Sequence, residues 1–173
     1  ANCGNRDWSL SRLRAAYLEK GSIREAILGF KYRRQFHLRP WLGRWLEDGF
    51  RQYYAGERWD ALVPVPLHPE RRRQRGFNQS AEIAGWLGRR AGIPVVEAIR
   101  RVKATAPQAR LSRAERLRNL RGSLALAGGF DPRGKRLIIC DDVFTTGATA
   151  DACARVLRRA GAEEVVALTV ARR

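Results

Sequence analysis

Two adjacent carboxylates followed by a loop of threonine, glycine and alanine form the stretch of this chain best equipped for chemistry. In "LIICDDVFTTGAT", four apolar residues run into Asp141 and Asp142, then into Thr145, Thr146, Gly147, Ala148 and Thr149, beyond which the pattern is helical. The first amides of a helix have no partner inside it, and its dipole favours negative charge. Gly147 lets the backbone come close, and the threonines add hydroxyl donors, so the loop suits one phosphate group. Ionised carboxylates only accept hydrogen bonds, which fits them to sugar hydroxyls and not to a second phosphate. A phosphate on the loop and a diol on the aspartates together describe a ribose 5-phosphate. The same pair could cap the next helix or hold a metal, and the threonine-rich loop weighs against both. No GxGxxG follows a strand, which removes the dinucleotide fingerprint. "GFDPRGKR" has the spacing of a P-loop, but it carries arginine where Ser or Thr is required and precedes a strand, so it is rejected.

The pattern around this stretch says what must position it. From Ser9 to about Tyr54 it reads as helical: Ser22 and Glu25 make a capping box for "SIREAILGFKY", and "PWLGRWLEDGF" resumes the pattern. Beyond Trp59 strands and helices alternate. "ALVPVPL" reads as an edge strand or a strand end because of its prolines. "NQSAEIAGWLGRRAG" is a helix capped near Asn78 and closed by Gly92, and "IPVVEAI" is the next strand. "SLALA", "RLIIC" and "EVVALTVA" supply further strands, with "GATADACARVLRRAGA" as the helix between the last two. Such alternation predicts an α/β fold, a mostly parallel sheet with right-handed crossovers and helices on both faces. We expect residues 1–58 to form a small N-terminal helical hood and residues 59–173 the α/β domain. Ligands of open α/β sheets bind outside the carboxyl ends of the strands, which is where the acidic pair falls.

Bulk composition narrows the partners. The chain has 173 residues, enough for one domain with a core, and no run of 18 apolar residues that would span a membrane. Without an export signal pattern either, a cytoplasmic protein is expected. Its 34 Lys+Arg against 17 Asp+Glu give a net charge of +17, and only Lys20, Lys31, Lys103 and Lys135 are lysines. A GC-rich genome would favour arginine on any surface, but the distribution is informative. Between Arg71 and Arg121 there are thirteen arginines and one lysine against Glu82, Glu97 and Glu115, so a polyanionic ligand is expected: nucleotide, pyrophosphate or nucleic acid. Cys3, Cys140 and Cys153 make no framework of disulfides, and the last two read as small buried apolar residues.

"LIICDDVFTTGAT" resembles the phosphoribosyl pyrophosphate (PRPP) motif of type I phosphoribosyltransferases. The resemblance implies that Asp141 and Asp142 bind the ribose hydroxyls of PRPP and that Thr145, Thr146, Gly147, Ala148 and Thr149 hold its 5-phosphate. "LVPVPLHPERRRQRGFNQSAEIA", the spaced Gln108, Leu111, Arg116 and Asn119, and "LGFKYRRQF" are together similar to the ComF family of competence-associated, phosphoribosyltransferase-like proteins. That family usually begins with a cysteine-rich zinc ribbon. Here Cys3 alone stands where its last cysteine would fall, and the chain has no methionine, so a truncated or processed N-terminus is expected. One cysteine cannot build a four-ligand site, so no zinc is expected.

Other segments fit the resemblance. "PLHPERRRQRG" lies where the fold would place a pyrophosphate loop, with His68, Arg71 and Arg75 as candidates; a solvated basic turn or a nucleic-acid patch would look alike. His68 is read as a hydrogen-bonded structural residue sooner than as an acid or base. "RVKATAPQARLSRAERLRNL" reads as a loop that closes over PRPP and excludes water, with Gln108, Arg116 and Asn119 as candidates, the last two also able simply to brace it. No residue stands out as a general base, and no metal is expected directly on the protein, Mg2+ arriving with PRPP. Phe36, Trp41 and Trp45 of the hood read as core before they read as a stacking platform. Two functions remain from the sequence: phosphoribosyl transfer to an unknown acceptor, or non-catalytic binding of PRPP or a related nucleotide by a protein that engages single-stranded DNA during transformation. A homodimer is compatible with either.

Overall fold

A computed structural model describes residues 8–102 and 122–173. Four parallel strands make the main sheet: β1 (Arg12–Leu18), β2 (Ala61–Pro64), β5 (Arg136–Phe144) and β6 (Glu164–Arg172), in the spatial order β1-β6-β5-β2. A separate antiparallel pair joins β3 (Ile99–Arg101) to β4 (Leu124–Leu126). The helices are α1 (Gly21–Tyr32), α2 (Arg39–Tyr53), α3 (Pro69–Arg75), α4 (Gln79–Ala91) and α5 (Ala148–Arg159).

Strands covered on both faces carry continuous apolar runs, and alternation sorts their side chains into two cores. Ile138, Cys140, Val166 and Leu168 pack with α1, α2 and α4. Leu137, Ile139, Val165 and Ala167 face the other way, onto α5 and the β3–β4 pair. Helices on both faces of a parallel sheet are the architecture expected from the sequence. Cys140 and Cys153 are buried and free, as expected.

Local signals located several elements correctly. Asn78 caps α4 by accepting from the Ser80 amide, and Gly92 ends that helix in the left-handed region at φ 68°. β2 is an edge of the four-stranded ladder. Its Leu62 donates to Pro94 and accepts from Val96, but Pro64, whose nitrogen faces the same way two residues on, has no proton to continue that pairing. "IPVVEAI" therefore makes a single bridge to β2 before turning into β3, where a full strand was expected.

Two corrections concern the first 58 residues. Arg12–Leu18, expected to be helical, is β1, in parallel register with β6 from Arg12↔Val166 to Leu18↔Arg172. Leu10, Leu13 and Tyr17 have helix-like spacing, yet pairing with a distant strand overrides the helix preference of Arg, Leu and Ala. The Ser22–Glu25 capping box does not form, because α1 starts at Gly21 and its N-cap position, Lys20, has no side-chain cap. Phe36 and Trp41, expected in the core, are 53% and 54% exposed, whereas Trp45 is partly buried against Tyr17.

The amino ends of the strands are clipped by charge. Arg12 and Arg136 alternate with Glu57 and Glu164 at 2.6 to 3.1 Å, and the Arg136 guanidinium lies 4.7 Å from the centre of the Trp59 ring. That network closes one end of the sheet and leaves the carboxyl end for a ligand.

Candidate functional site

The site begins where β5 loses a neighbour. β2 pairs with β5 only as far as Cys140, while β6 follows it to Phe144. From Asp141 onward one edge of β5 is therefore open, and the acidic pair lies within the strand, not at its end. The chain leaves β2 toward α4 on one face and leaves β5 toward α5 on the other, so a crevice opens between them.

Neighbouring strand residues point to opposite faces. Asp142 is buried on the α1 side, where Lys31 Nζ stands 2.8 Å from its Oδ2. Burial alone would discharge the lysine, but the attraction of Asp142 outweighs it and holds the ammonium above its ordinary range. Asp141 is half-buried; its Oδ1 accepts from Ser80 Oγ at 2.8 Å and from the Asp142 amide at 2.9 Å. Ser80 is held in turn by Asn78, whose Nδ2 donates to the Val65 carbonyl at 3.1 Å. Burial, and then the charge of Asp142, push the Asp141 carboxyl well above the usual carboxylate range, against the opposing pull of Lys31 and Ser80.

This has a consequence for stability with a definite sign. A carboxyl that holds its proton more tightly folded than unfolded loses stability as pH rises above its unfolded value. Asp141→Asn, whose amide oxygen can still accept from Ser80, is therefore expected to raise stability by about 1–3 kcal/mol at pH 8, with the gain vanishing near pH 4. Denaturant midpoints across that range measure it; a gain that is independent of pH, or a loss at pH 8, contradicts the assignment.

The loop after β5 turns at Gly147, φ 71°, which is also the N-cap position of α5. A Cβ there would lie 2.5 Å from the Phe144 ring and 2.7 Å from that of Trp8, so both the conformation and the space require glycine. Trp8 thus lies directly against the loop, and the next residue, Ser9, donates its amide to Asp151 in the first turn of α5 at 2.8 Å. Asp151 would repel a phosphate, but Arg155 pairs with it at 2.8 Å. Asp141, residues 145–149 and Thr169 together line one shallow hollow of about 30 Å3.

The expected pyrophosphate residues divide. His68 caps α3, its Nδ1 accepting from the Glu70 amide at 3.3 Å. This is the structural role, and the segment read as a loop is a short helix. Arg71 and Arg75 line a second cavity of about 410 Å3 between the end of α1 and α3, together with Lys31, Tyr32 and Phe77. The Arg75 guanidinium lies 4.7 Å from the centre of the Tyr32 ring and donates to Gln79. Gln108, Arg116, Asn119 and Cys3 lie outside the described residues.

Four residues at the site escaped the sequence reading: Lys31, Ser80, Arg101 and Thr169. Arg101 is half-buried and donates from Nε to the Pro66 carbonyl at 3.1 Å, within electrostatic reach of Arg71 and Asp141; burial, chiefly, lowers its pKa. Only Lys31 carried a signal, as one of four lysines among 34 basic residues. An ammonium is a compact point charge that fits a buried single-carboxylate contact, where a guanidinium would bring donors left unpaired.

A parallel sheet with this acidic pair, this loop and this crevice defines a phosphoribosyltransferase-type protein. Residues 79–173 match the phosphoribosyl transferase domain family. The chain is also 33% identical to competence protein F of Haemophilus influenzae, covering 99% of this chain and 78% of that one. It is 27% identical to competence protein ComFC of Streptococcus pneumoniae over 92% of this chain and 67% of that one. The chain belongs to the competence protein F family of phosphoribosyltransferase-domain proteins. DNA utilization protein YhgH of Salmonella typhi is 41% identical over 61% of this chain, which spans 46% of that protein. The allosteric regulatory enzyme of purine biosynthesis shares the fold, with a TM-score of 0.51 and 24% identity over 76% of this chain and 25% of that one. Among the described residues, no helix is long and apolar enough to cross a membrane.

Proposed function

We propose that the chain binds PRPP, with the ribose on Asp141 and Asp142 and the 5-phosphate on residues 145–149, and transfers the phosphoribosyl group to a nitrogen acceptor. The meeting of Asp141 and the Thr/Gly loop in one hollow, beside buried Asp142, is the observation that carries this reading. The pyrophosphate would then lie toward Arg101, within electrostatic reach of Asp141, and toward Arg71, within reach of Arg101. As the C1–O bond breaks, its electron pair leaves with the pyrophosphate, the acceptor nitrogen bonds to C1, and the nitrogen's proton passes to solvent. The residues named act by positioning and by meeting the leaving charge.

Mg2+ takes one or two carboxylates together with substrate oxygens and waters, and does not require a protein cage. Among the described residues no three acidic, histidine or cysteine side chains gather. Asp141 and Asp142 fit an ion that arrives with the substrate, and Asp141, which lines the hollow, would be the nearer of the two to it. When bound, the ion would neutralise pyrophosphate charge.

Relatives named for competence and DNA utilization suggest that this step accompanies DNA uptake. Direct binding of single-stranded DNA has the support of those names and of the net charge of +17. Incubation with PRPP, Mg2+ and a small-molecule cell extract should release pyrophosphate faster than incubation without extract. Equal rates would leave binding without transfer.

A further inference from the structure

The 410 Å3 cavity beside Asp142 is larger and chemically richer than a pyrophosphate needs. Tyr32 and Arg34, at the end of α1, face Arg71, Arg75 and Phe77 across it, and Lys31 forms its border with the acidic pair. Its lining holds two aromatic rings and four cations but no carboxylate. Among the described residues no carboxylate pairs with Arg34, Arg71 or Arg75, although Arg33, Arg39 and Arg72 have each found one. Arg34 is the one described non-glycine residue with positive φ, 53°. Such a conformation costs free energy, and Arg34 holds it where it lines this cavity. Tyr32 is 66% exposed and is held by the Arg75 guanidinium stacked on its ring. A ring left open to solvent beside a stacked guanidinium is a surface on which a second flat group can lie.

We propose that this cavity receives the acceptor and that the acceptor is a planar ring bearing a negatively charged group, a carboxylate or a phosphate. The inference rests on the ribose 5-phosphate assignment, because Lys31 is what places the cavity next to the sugar. The ring lies between Tyr32 and Phe77. Its anionic group meets Arg34 and Arg75, and its nucleophilic nitrogen turns toward Asp142 and C1 of the ribose. Arg75 thereby belongs to the acceptor, and Arg71, which lines the cavity and lies within electrostatic reach of Arg101, to the pyrophosphate.

Phthalate, a ring with two carboxylates, and phthalamide, its uncharged counterpart, test the proposal by calorimetry on the full chain saturated with ribose 5-phosphate. Phthalate should bind at least about tenfold more tightly than phthalamide, as charge-assisted hydrogen bonds require. Arg34→Gly and Tyr32→Ala should each weaken phthalate by about tenfold. Both should leave ribose 5-phosphate affinity unchanged. Glycine takes the backbone angle of Arg34 freely, and the Tyr32 ring is exposed, so both variants should fold, with Arg34→Gly at least as stable as the parent. Equal binding of the two probes, unchanged phthalate affinity in the variants, or one-for-one displacement of phthalate by inorganic pyrophosphate overturns the proposal. Failure of ribose 5-phosphate itself to bind would remove the proposed function and this inference together; failure of the phthalate arm alone removes only the inference.

Discussion

Exchanging both carboxylates, Asp141→Asn with Asp142→Asn, is expected to weaken PRPP binding by at least about 100-fold, since each lost charge-assisted hydrogen bond to a ribose hydroxyl is worth about 1.5–3 kcal/mol. The loop proposed to hold the phosphate is built from other residues. Gly147 sets its turn, the threonines supply hydroxyls, and Arg155 neutralises Asp151 behind it. Inorganic phosphate should therefore bind the double variant as well as it binds the parent, or slightly better once two negative charges are gone. Calorimetry with PRPP, ribose 5-phosphate and inorganic phosphate separates the two halves of the site. Unchanged ribose 5-phosphate affinity would place the sugar elsewhere, and parallel loss of inorganic phosphate would mean that the variant has damaged the loop.

The part of this site that could be read from the sequence is the part built from neighbours in the chain. Asp141, Asp142 and the loop lie within nine residues of one another, and their chemistry is visible in their order. The same holds for α4, whose start and stop are written by Asn78 and Gly92. The hidden part is made by pairing across the chain. β1 carries residues that prefer helix and becomes a strand only because β6 offers it an edge. Lys31 looks like any basic residue near a helix end until the sheet brings Asp142 beneath it. His68 was legible as a structural residue, but its particular partner, the Glu70 amide, is set only by the start of α3.

The contact between Lys31 and Asp142 yields the largest expected stability effect. Both side chains are nearly buried, at 17% and 7% exposure, and Lys31 Nζ at 2.8 Å is the partner of Asp142 Oδ2. Removing one member of such a pair strands the other, so Lys31→Met and Asp142→Asn should each destabilise the chain by about 3–5 kcal/mol at pH 7. The double variant leaves no stranded charge and should recover at least about half of the summed loss. The pH dependence distinguishes this from simple packing damage. Without Lys31, two adjacent carboxylates repel each other until one takes up a proton, so the deficit of Lys31→Met should shrink as pH falls. Without Asp142, a buried ammonium is relieved by losing its proton, so the deficit of Asp142→Asn should shrink as pH rises. In the parent, the folded-state pKa of Lys31 is raised, so the contribution of the pair is present in full below the ordinary lysine range and fades only as pH climbs through the raised value. Urea denaturation of the four proteins at pH 5, 7 and 9 measures all of this. Additive losses with no opposing pH trends would mean that the ammonium and the carboxylate are packed side by side without depending on each other.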